Sequence, residues 1–540
     1  MSNISVLSRI SGVQQVVGAK TTPFVTTDAE LVNDDKQHAA LVRAIYNDQV
    51  SALSENSQIL KPEDIASMAF RGRPGFERWI ETDSLIFGRA GACPIAALDH
   101  GKALIAGGET AATWTPIPNA VTATCELFDV ATRQWNLTAP LAKARGGHNV
   151  AVLPGNKALI FGGFNQGPDW TIETNVAELS CQIYDGNTET WGPAASMPAG
   201  FVPFGPLVYH AIIKGGPCDG HVLVGCSGAS FVGGNDPANA GFSASLNVRR
   251  YNPTTNTWHV CAPMNFDRAA GIMVALGGGK VMAIGGVDAN YIDTSNGVCE
   301  IYDSATDTWT LTAQMPATVL ADQANGIAAN DYTTVGPGAI LVENGSKVLV
   351  VGGEAGAPTF VSRKGLYLYT VATNSWVALN GTGQQLIQGA GIYPLIFALK
   401  GTNNVIFTSG ETNLPDFSDY VTNDVTSIIG TNNYKVRVTK PFPGAAFNSD
   451  KPALNGSNNM QYAQLSTGDI LWAGSWPGFS YYDAFDPTTP IDRTCNNRSF
   501  LWEVGAPENG NASRPPFPHA RGQDLTAPQR TAIRATKRGR

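Results

Sequence analysis

Charge is scarce in this chain: of 540 residues only 15% are Asp, Glu, Lys or Arg, and histidine occurs seven times. A low-charge chain is a poor candidate for long solvated helices. The net charge of −8 argues against a general binder of nucleic acid or of anionic membranes. Long hydrophobic runs are missing too. No stretch of 18 apolar residues occurs, so no transmembrane helix is expected. The start, Met1-Ser-Asn-Ile-Ser-Val-Leu-Ser-Arg9, lacks the basic and apolar pattern of a secretory signal, and cytoplasmic synthesis is the expectation. Dinucleotide and phosphate loops, zinc spacings, calcium loops and nucleophile elbows are also wanting. Val232-Gly-Gly-Asn235 and Gly277-Gly-Gly-Lys280 read as turns, because no helix is indicated after them.

What is abundant is glycine, 58 residues, with 43% hydrophobic residues to build a core. That combination points to short strands and tight turns. The strands repeat. An aromatic-Asp pair is followed after six residues by Trp, and after six more by Leu or Met. Phe128-Asp129, Trp135 and Leu141 form one copy; Tyr184-Asp185, Trp191 and Met197 the next. Tyr251-Asn252, Trp258 and Met264 follow, then Tyr302-Asp303, Trp309 and Met315, and last Tyr369-Thr370 with Trp376. Upstream of the copies lie apolar runs ending in Gly-Gly, at Gly107-Gly108, Gly162-Gly163, Gly285-Gly286 and Gly352-Gly353. Weaker versions end at Gly228, Gly410 and Gly474, which makes seven units. Cys125, Cys181 and Cys299 share one repeat position, four residues before the Asp. They belong on equivalent strands of different units, as small buried side chains without disulfides between them.

These residues resemble the kelch repeat, with its Gly-Gly strand, aromatic-Asp strand and Trp strand. The resemblance covers about four-fifths of the chain. It implies an all-β fold: a seven-bladed kelch-type β-propeller with a short helical N-terminal extension and a basic C-terminal arm. Each blade would hold four strands and bury both faces against neighbours. The expected divisions are 1–75 for the arm and helical extension, 76–505 for the propeller and 506–540 for the Pro/Arg-rich arm. Trp79 stands 29 residues before Gly108, close to the 28 by which Trp135 precedes Gly163, so it marks an outer strand without a blade of its own. At the other end Ser499-Phe-Leu-Trp-Glu503 looks like a third strand with no fourth after it. Residues 77–81 are expected to complete that blade and close the ring.

Outside the ring, Thr27-Asp-Ala-Glu30 is a capping box that opens a helix through about Leu53, and Pro62 starts a second helix. This extension either caps the main domain or docks a partner subunit. In 506–540, seven basic residues face Glu508 and Asp524. That arm is either solvated or grips an acidic neighbour or nucleic acid. Thr439–Met460 reads as a long polar loop, a common carrier of binding.

Two sets of residues are candidates for function. Arg89, Arg145 and Arg268 recur just before the innermost strands, and Glu109, Glu354 and Glu411 just after the Gly-Gly turns. Resemblance to kelch adaptors implies that such arginines line an axial pocket and grip acidic peptides. Alternatively, the two sets pair with each other. The second set rests on a more distant similarity, to the galactose-oxidase-type propeller with its copper-radical site. Ala92-Cys93-Pro94 resembles the strand of that family's cross-linked Cys, and Val208-Tyr209-His210 its Tyr-His copper ligands. Ala144-Arg-Gly-Gly-His148 places Gly147 where the radical Tyr is expected, so Cys93, His148, Tyr209 and His210 read as packing and hydrogen-bonding groups. No catalytic residue, metal or cofactor is therefore expected. The reading is a non-enzymatic interaction or structural subunit of a larger assembly, such as a virion or appendage component. The alternatives are a peptide-binding adaptor and the copper enzyme.

Overall fold

A computed structural model describes residues 78–89, 93–108, 110, 121–165, 176–198, 209–229, 242–288, 292–317, 327, 331–332, 334–355, 362–384, 386, 395–400, 402–408, 411–413, 420–422, 426–438, 462–475 and 496–503. The expected N-terminal helices, the C-terminal arm, the loop 439–460 and Glu109 lie outside the described residues.

The described chain forms seven four-stranded antiparallel sheets, the blades of a β-propeller. Blade one runs from inner to outer strand as Ile95–Ala97, Lys102–Ala106, Cys125–Asp129 and Gln134–Thr138. Blade two is Asn149–Leu153, Lys157–Phe161, Cys181–Asp185 and Thr190–Ala194; blade three is Tyr209–Ile212, Val222–Ala229, Phe242–Asn252 and Thr257–Val260. Blade four is Ile272–Gly277, Lys280–Ile284, Val298–Asp303 and Thr308–Gln314; blade five is Gly338–Val342, Lys347–Val351, Leu366–Thr370 and Ser375–Ala378. Blade six, Leu395–Ala398, Asn404–Thr408, Thr426–Gly430 and Val436–Val438, has no Trp on its outer strand. Blade seven joins Tyr462–Gln464, Ile470–Ser475 and Asn496–Glu503 to an outer strand from the other end of the chain, Arg78–Glu81. Two short side hairpins, Phe164–Asn165 with Val176–Ala177 and Glu411–Asn413 with Tyr420–Thr422, extend the connections between second and third strands.

The six-residue Asp-to-Trp interval has a local cause. The side chains of Asp129, Asp185, Asn252 and Asp303 each accept the N–H two residues on, which starts the hairpin turn. The turn then passes through a left-handed residue, Arg133, Glu189, Asn256, Asp307 or Asn374, with φ between 46° and 60°. This brings the Trp directly opposite the aromatic: Phe128 pairs with Trp135, Tyr184 with Trp191, Tyr251 with Trp258, Tyr302 with Trp309 and Tyr369 with Trp376. Their ring centroids are 5.0–5.2 Å apart.

Four of these Trp residues also hold the preceding blade. Trp191 Nε1 donates to the Ala139 carbonyl at 2.7 Å, Trp258 to Ala195 at 2.9 Å, Trp309 to Ala262 at 3.0 Å and Trp376 to Ala313 at 3.0 Å. Each acceptor lies four residues after the Trp of its own blade. The N–H groups of Ala195, Ala262 and Ala313 are held as well, by the side chains of the left-handed turn residues Asn256, Asp307 and Asn374. At these three seams one alanine is thereby clamped at both its polar backbone atoms. Behind the clamp lies an apolar cluster. Between blades two and three, for example, Leu159, Phe161 and Met197 meet Val222, Val224 and Tyr251.

The closing seam is built differently. Thr82 N donates to Ser499 O at 2.9 Å, Leu85 N to Asn497 O at 2.7 Å, and Trp79 meets Trp502 edge-on at 5.3 Å. Arg498 adds an ion pair with Glu81 at 2.6 Å. Trp135, which faces this seam, has a buried Nε1 with no hydrogen-bond partner among the described residues.

Two outcomes follow. Trp309→Phe keeps most of the ring area but strands the Ala262 carbonyl, and should lower stability by about 1–3 kcal/mol. Trp135→Phe removes a donor that has no acceptor and should cost less; thermal melts of the two variants check the order. Deletion of residues 1–85 removes the outer strand of blade seven and should abolish the cooperative melt seen by circular dichroism. An unchanged melting temperature would contradict this closure.

Candidate functional site

The loops that lead into the inner strands, and the Gly-Gly turns that end the second strands, meet at one end of the ring. Here glycine is required by space. A Cβ on Gly474 would come within 2.4 Å of the Arg89 carbonyl oxygen, and one on Gly107 within 2.8 Å of that of Arg145. The backbone of Gly107 and Gly108 is left-handed, with φ of 64° and 96°. In the opposite direction, Gly108 N donates to Arg145 O at 2.8 Å, joining the turn of blade one to the lead-in of blade two.

Arg89, Arg145 and Arg268 are all buried at this end, at 0%, 0% and 1% exposure. Arg89 donates to the carbonyls of Gly107 and Thr124 at 2.8 and 2.9 Å, and pairs with Glu126 at 2.5 Å. Arg268 donates to the Gly285 and Val298 carbonyls and pairs with Glu300 at 3.1 Å. Each arginine thus ties its lead-in loop to the Gly-Gly turn and to the start of the third strand of its own blade. Glu126 and Glu300 also accept loop N–H groups, from Ile86 and Phe87 and from Asn265 and Phe266. Buried carboxylates and guanidinium groups persist in such a place only when paired and hydrogen-bonded.

Blade two is a variant of the knot. Gln182 occupies the glutamate position and accepts the Ala142 N–H at 3.0 Å. Arg145 instead donates to the carbonyl and hydroxyl of Ser180 at 2.8 and 2.9 Å. Burial lowers the Arg145 pKa, while nearby Glu178 and Cys181 oppose that shift. Burial also works to raise the pKa of Glu178, but the Ser180 hydroxyl and N–H, Arg145 and Lys143 outweigh it and hold the carboxyl low. Blade five exchanges the signs. Arg363, 1% exposed, lies before the third strand and pairs with Asp331 of the lead-in loop at 3.1 Å.

Two of these arginines have carboxylate partners outside the set Glu109, Glu354 and Glu411. Arg89 and Arg268 meet third-strand carboxylates, Glu126 and Glu300, because those strands begin directly beneath the lead-in loops. Glu354 is buried at 4% exposure, its backbone bridged to Val335 and Ser362. Of Glu411 only the backbone strand is described. The missed residues, Glu126 and Glu300, had a signal: each follows a repeat cysteine, so an acidic group recurs in a buried strand.

The other candidates do not converge. Cys93 packs at the seam of blades seven and one, and its Sγ donates to the carbonyls of Ala106 and Gly107. Burial pushes the Cys93 thiol up to about 12. Tyr209 packs with Met264 between blades three and four, whereas the neighbouring His210 turns to the other face and meets Phe161 edge-on at 5.6 Å. His148, 0% exposed, lies beside Gly107. Desolvation lowers His210 to about 4; desolvation, with Arg145 adding to it, lowers His148 to about 3.

A family model for the Kelch motif matches residues 271–316, which span blade four. Among solved structures, one described as "Structure of YjhT" shares 15% identity at a TM-score of 0.44, covering 66% of this chain and 98% of that one. Another is described as "Novel fungal alcohol oxidase with catalytic diversity among the AA5 family, in complex with copper". It shares 13% identity at a TM-score of 0.49, covering 80% of this chain and 76% of that one. No curated protein sequence matches.

Loss of the buried pairs gives a graded prediction. Arg268→Ala strands the Glu300 carboxylate and should cost about 3–5 kcal/mol. Arg145→Ala leaves the neutral Gln182 and should cost less, and Glu300→Gln, which copies blade two, should be better tolerated than Arg268→Ala. Thermal melts check the ranking. The two histidines give a pH dependence. Their folded pKa values lie below the ordinary histidine value, so the unfolded chain takes up protons first as pH falls. Their contribution is present above about pH 6.5 and is lost toward pH 4, by up to about 1.4 kcal/mol per pH unit for each histidine. Replacing both with neutral residues of similar size should flatten the melting temperature between those pH values.

Proposed function

We propose that this seven-bladed propeller, which carries a Kelch motif, is a non-enzymatic protein-interaction subunit whose ring is a scaffold for the loops at one end. The observation that carries this reading is the placement of chemistry and chain length. Arg89, Arg145, Arg268 and Arg363, four buried arginines at the loop end, are spent on holding lead-in loops to their own blades. Their donors point at backbone carbonyls and buried carboxylates, which suits a scaffold better than an anion-gripping axial pocket.

The loops differ sharply between the two ends. Connections from third to outer strand are short turns, such as 130–133 and 304–307. Connections from second to third strand, at the Gly-Gly end, run over 107–124, 162–180, 409–425 and 476–495. Long connections on a rigid ring are where partner recognition concentrates. Membership of a larger assembly, including a virion or appendage, is the finer form of this proposal. It rests on the Asn-, Thr- and Gly-rich loops and the basic segment 506–540. No described helix is long and apolar enough to cross a membrane.

Native material purified under mild conditions and sized by light scattering tests the proposal. The expected result is a complex of defined stoichiometry with another protein. Replacing 409–425 and 476–495 by short Gly/Ser connections should release that partner while the melting temperature holds within a few degrees. A stoichiometric copper content with a Tyr–Cys cross-link in the mass spectrum would overturn the non-enzymatic reading.

A further inference from the structure

The seam between blades three and four differs chemically from its neighbours. At each clamped seam, the left-handed turn residue of one blade approaches the outer strand of the blade before it. The positions one and three residues after that strand's Trp flank the approach. At the seam of blades two and three these positions hold Asn256, Gly192 and Ala194; at that of blades four and five, Asn374, Thr310 and Thr312. Between blades one and two they hold Glu189, Asn136 and Thr138. Between blades three and four they are Asp307, His259 and Cys261: carboxylate, imidazole and thiol together.

One ligand atom from each of the three lies within 4.8 Å of the others, and His259 Nε2 is 3.4 Å from Asp307 Oδ2. The two oxygens of Asp307 have separate duties. Oδ1 accepts the Tyr302 hydroxyl at 2.7 Å and the Ala262 N–H at 3.3 Å, the work that Asn256 and Asn374 do at their seams. Oδ2 is the atom that aspartate has in place of an amide nitrogen, and it faces the imidazole. Tyr302, whose oxygen is 3.5 Å from Cys261 Sγ and accepts a hydrogen bond from Arg250 at 3.0 Å, braces both Asp307 and Cys261 from behind. Such outer bracing orients ligands in metal centres. The thiol is buried, while the His259 and Asp307 side chains are 51% and 37% exposed, so an ion can reach the group from solvent and retain a water.

We propose that His259, Cys261 and Asp307 bind a thiophilic divalent transition-metal ion of the zinc class, with three protein ligands and a fourth, solvent-facing position. Sulfur and imidazole donors with a single carboxylate favour zinc-like ions over calcium or magnesium, which take oxygen donors. Ligand atoms around tetrahedral zinc stand about 3–4 Å apart. With its side chain 51% exposed, the His259 ring has room to turn toward the other two ligands. The ion would cross-link the outer strand of blade three to the turn of blade four, at a seam whose clamp is already formed by Trp309.

Cobalt(II) is the probe. Full-length chain, treated with chelator and then titrated with cobalt(II), should bind one equivalent with a sulfur-to-metal charge-transfer band in the near ultraviolet, and zinc should displace it. Cys261→Ser should abolish the band. Asp307→Asn keeps the bonds of the turn, as in the neighbouring seams, so its metal-free melting temperature should be unchanged while zinc affinity falls more than about tenfold. Wild-type chain without a thiolate band overturns the proposal. So does a band or a zinc affinity that survives both substitutions, which would place the ion elsewhere.

Discussion

A four-stranded blade has two apolar faces and cannot bury either of them alone. Everything else in this chain follows from how the blades are held together. The contact repeated from seam to seam is a tryptophan of one outer strand whose indole N–H reaches an alanine carbonyl of the blade before it. Where an Asn or Asp side chain takes the alanine N–H as well, both polar backbone atoms of that alanine are satisfied. The clamp is directional, and it sets the register in which the apolar clusters meet.

At the Gly-Gly end the same problem is solved with charge. A lead-in loop must pass close to a turn that has no side chains, and the carbonyls on the turn side and the N–H groups of the loop would be buried unpaired. Arg89 and Arg268 supply donors to those carbonyls; Glu126 and Glu300 supply acceptors to the N–H groups and neutralise the arginines. Blade two does this with Gln182 and Ser180, and blade five with Arg363 and Asp331, so the role outlasts any one pair of residues. A chain with few charges has placed several of them where they hold backbone.

The blade count and the strand order were legible because they rest on local rules. Asp303 starts a turn, Asp307 finishes it, and Trp309 must then fall opposite Tyr302. The candidate site was legible only in part. Arg89, Arg145 and Arg268 stood out by recurrence, but their acceptors lie some 35 residues away on another strand, and the acidic residues after the Gly-Gly turns were nearer in sequence. Tyr209 and His210 show the limit from the other side. Adjacent in sequence, they face opposite seams, because neighbouring residues of a strand alternate faces.

The repeat, the turn chemistry and the need for a ring can be read along the chain, since each depends on residues within one hairpin or on the poverty of long apolar and charged segments. Which groups meet across strands and seams emerges in the folded ring: Arg268 with Glu300, Trp309 with Ala262, and Asp307 with His259 and Cys261. The physical reason is that a hydrogen bond or an ion pair needs its atoms within about 3–4 Å, and no periodicity along the chain encodes that distance between separate blades.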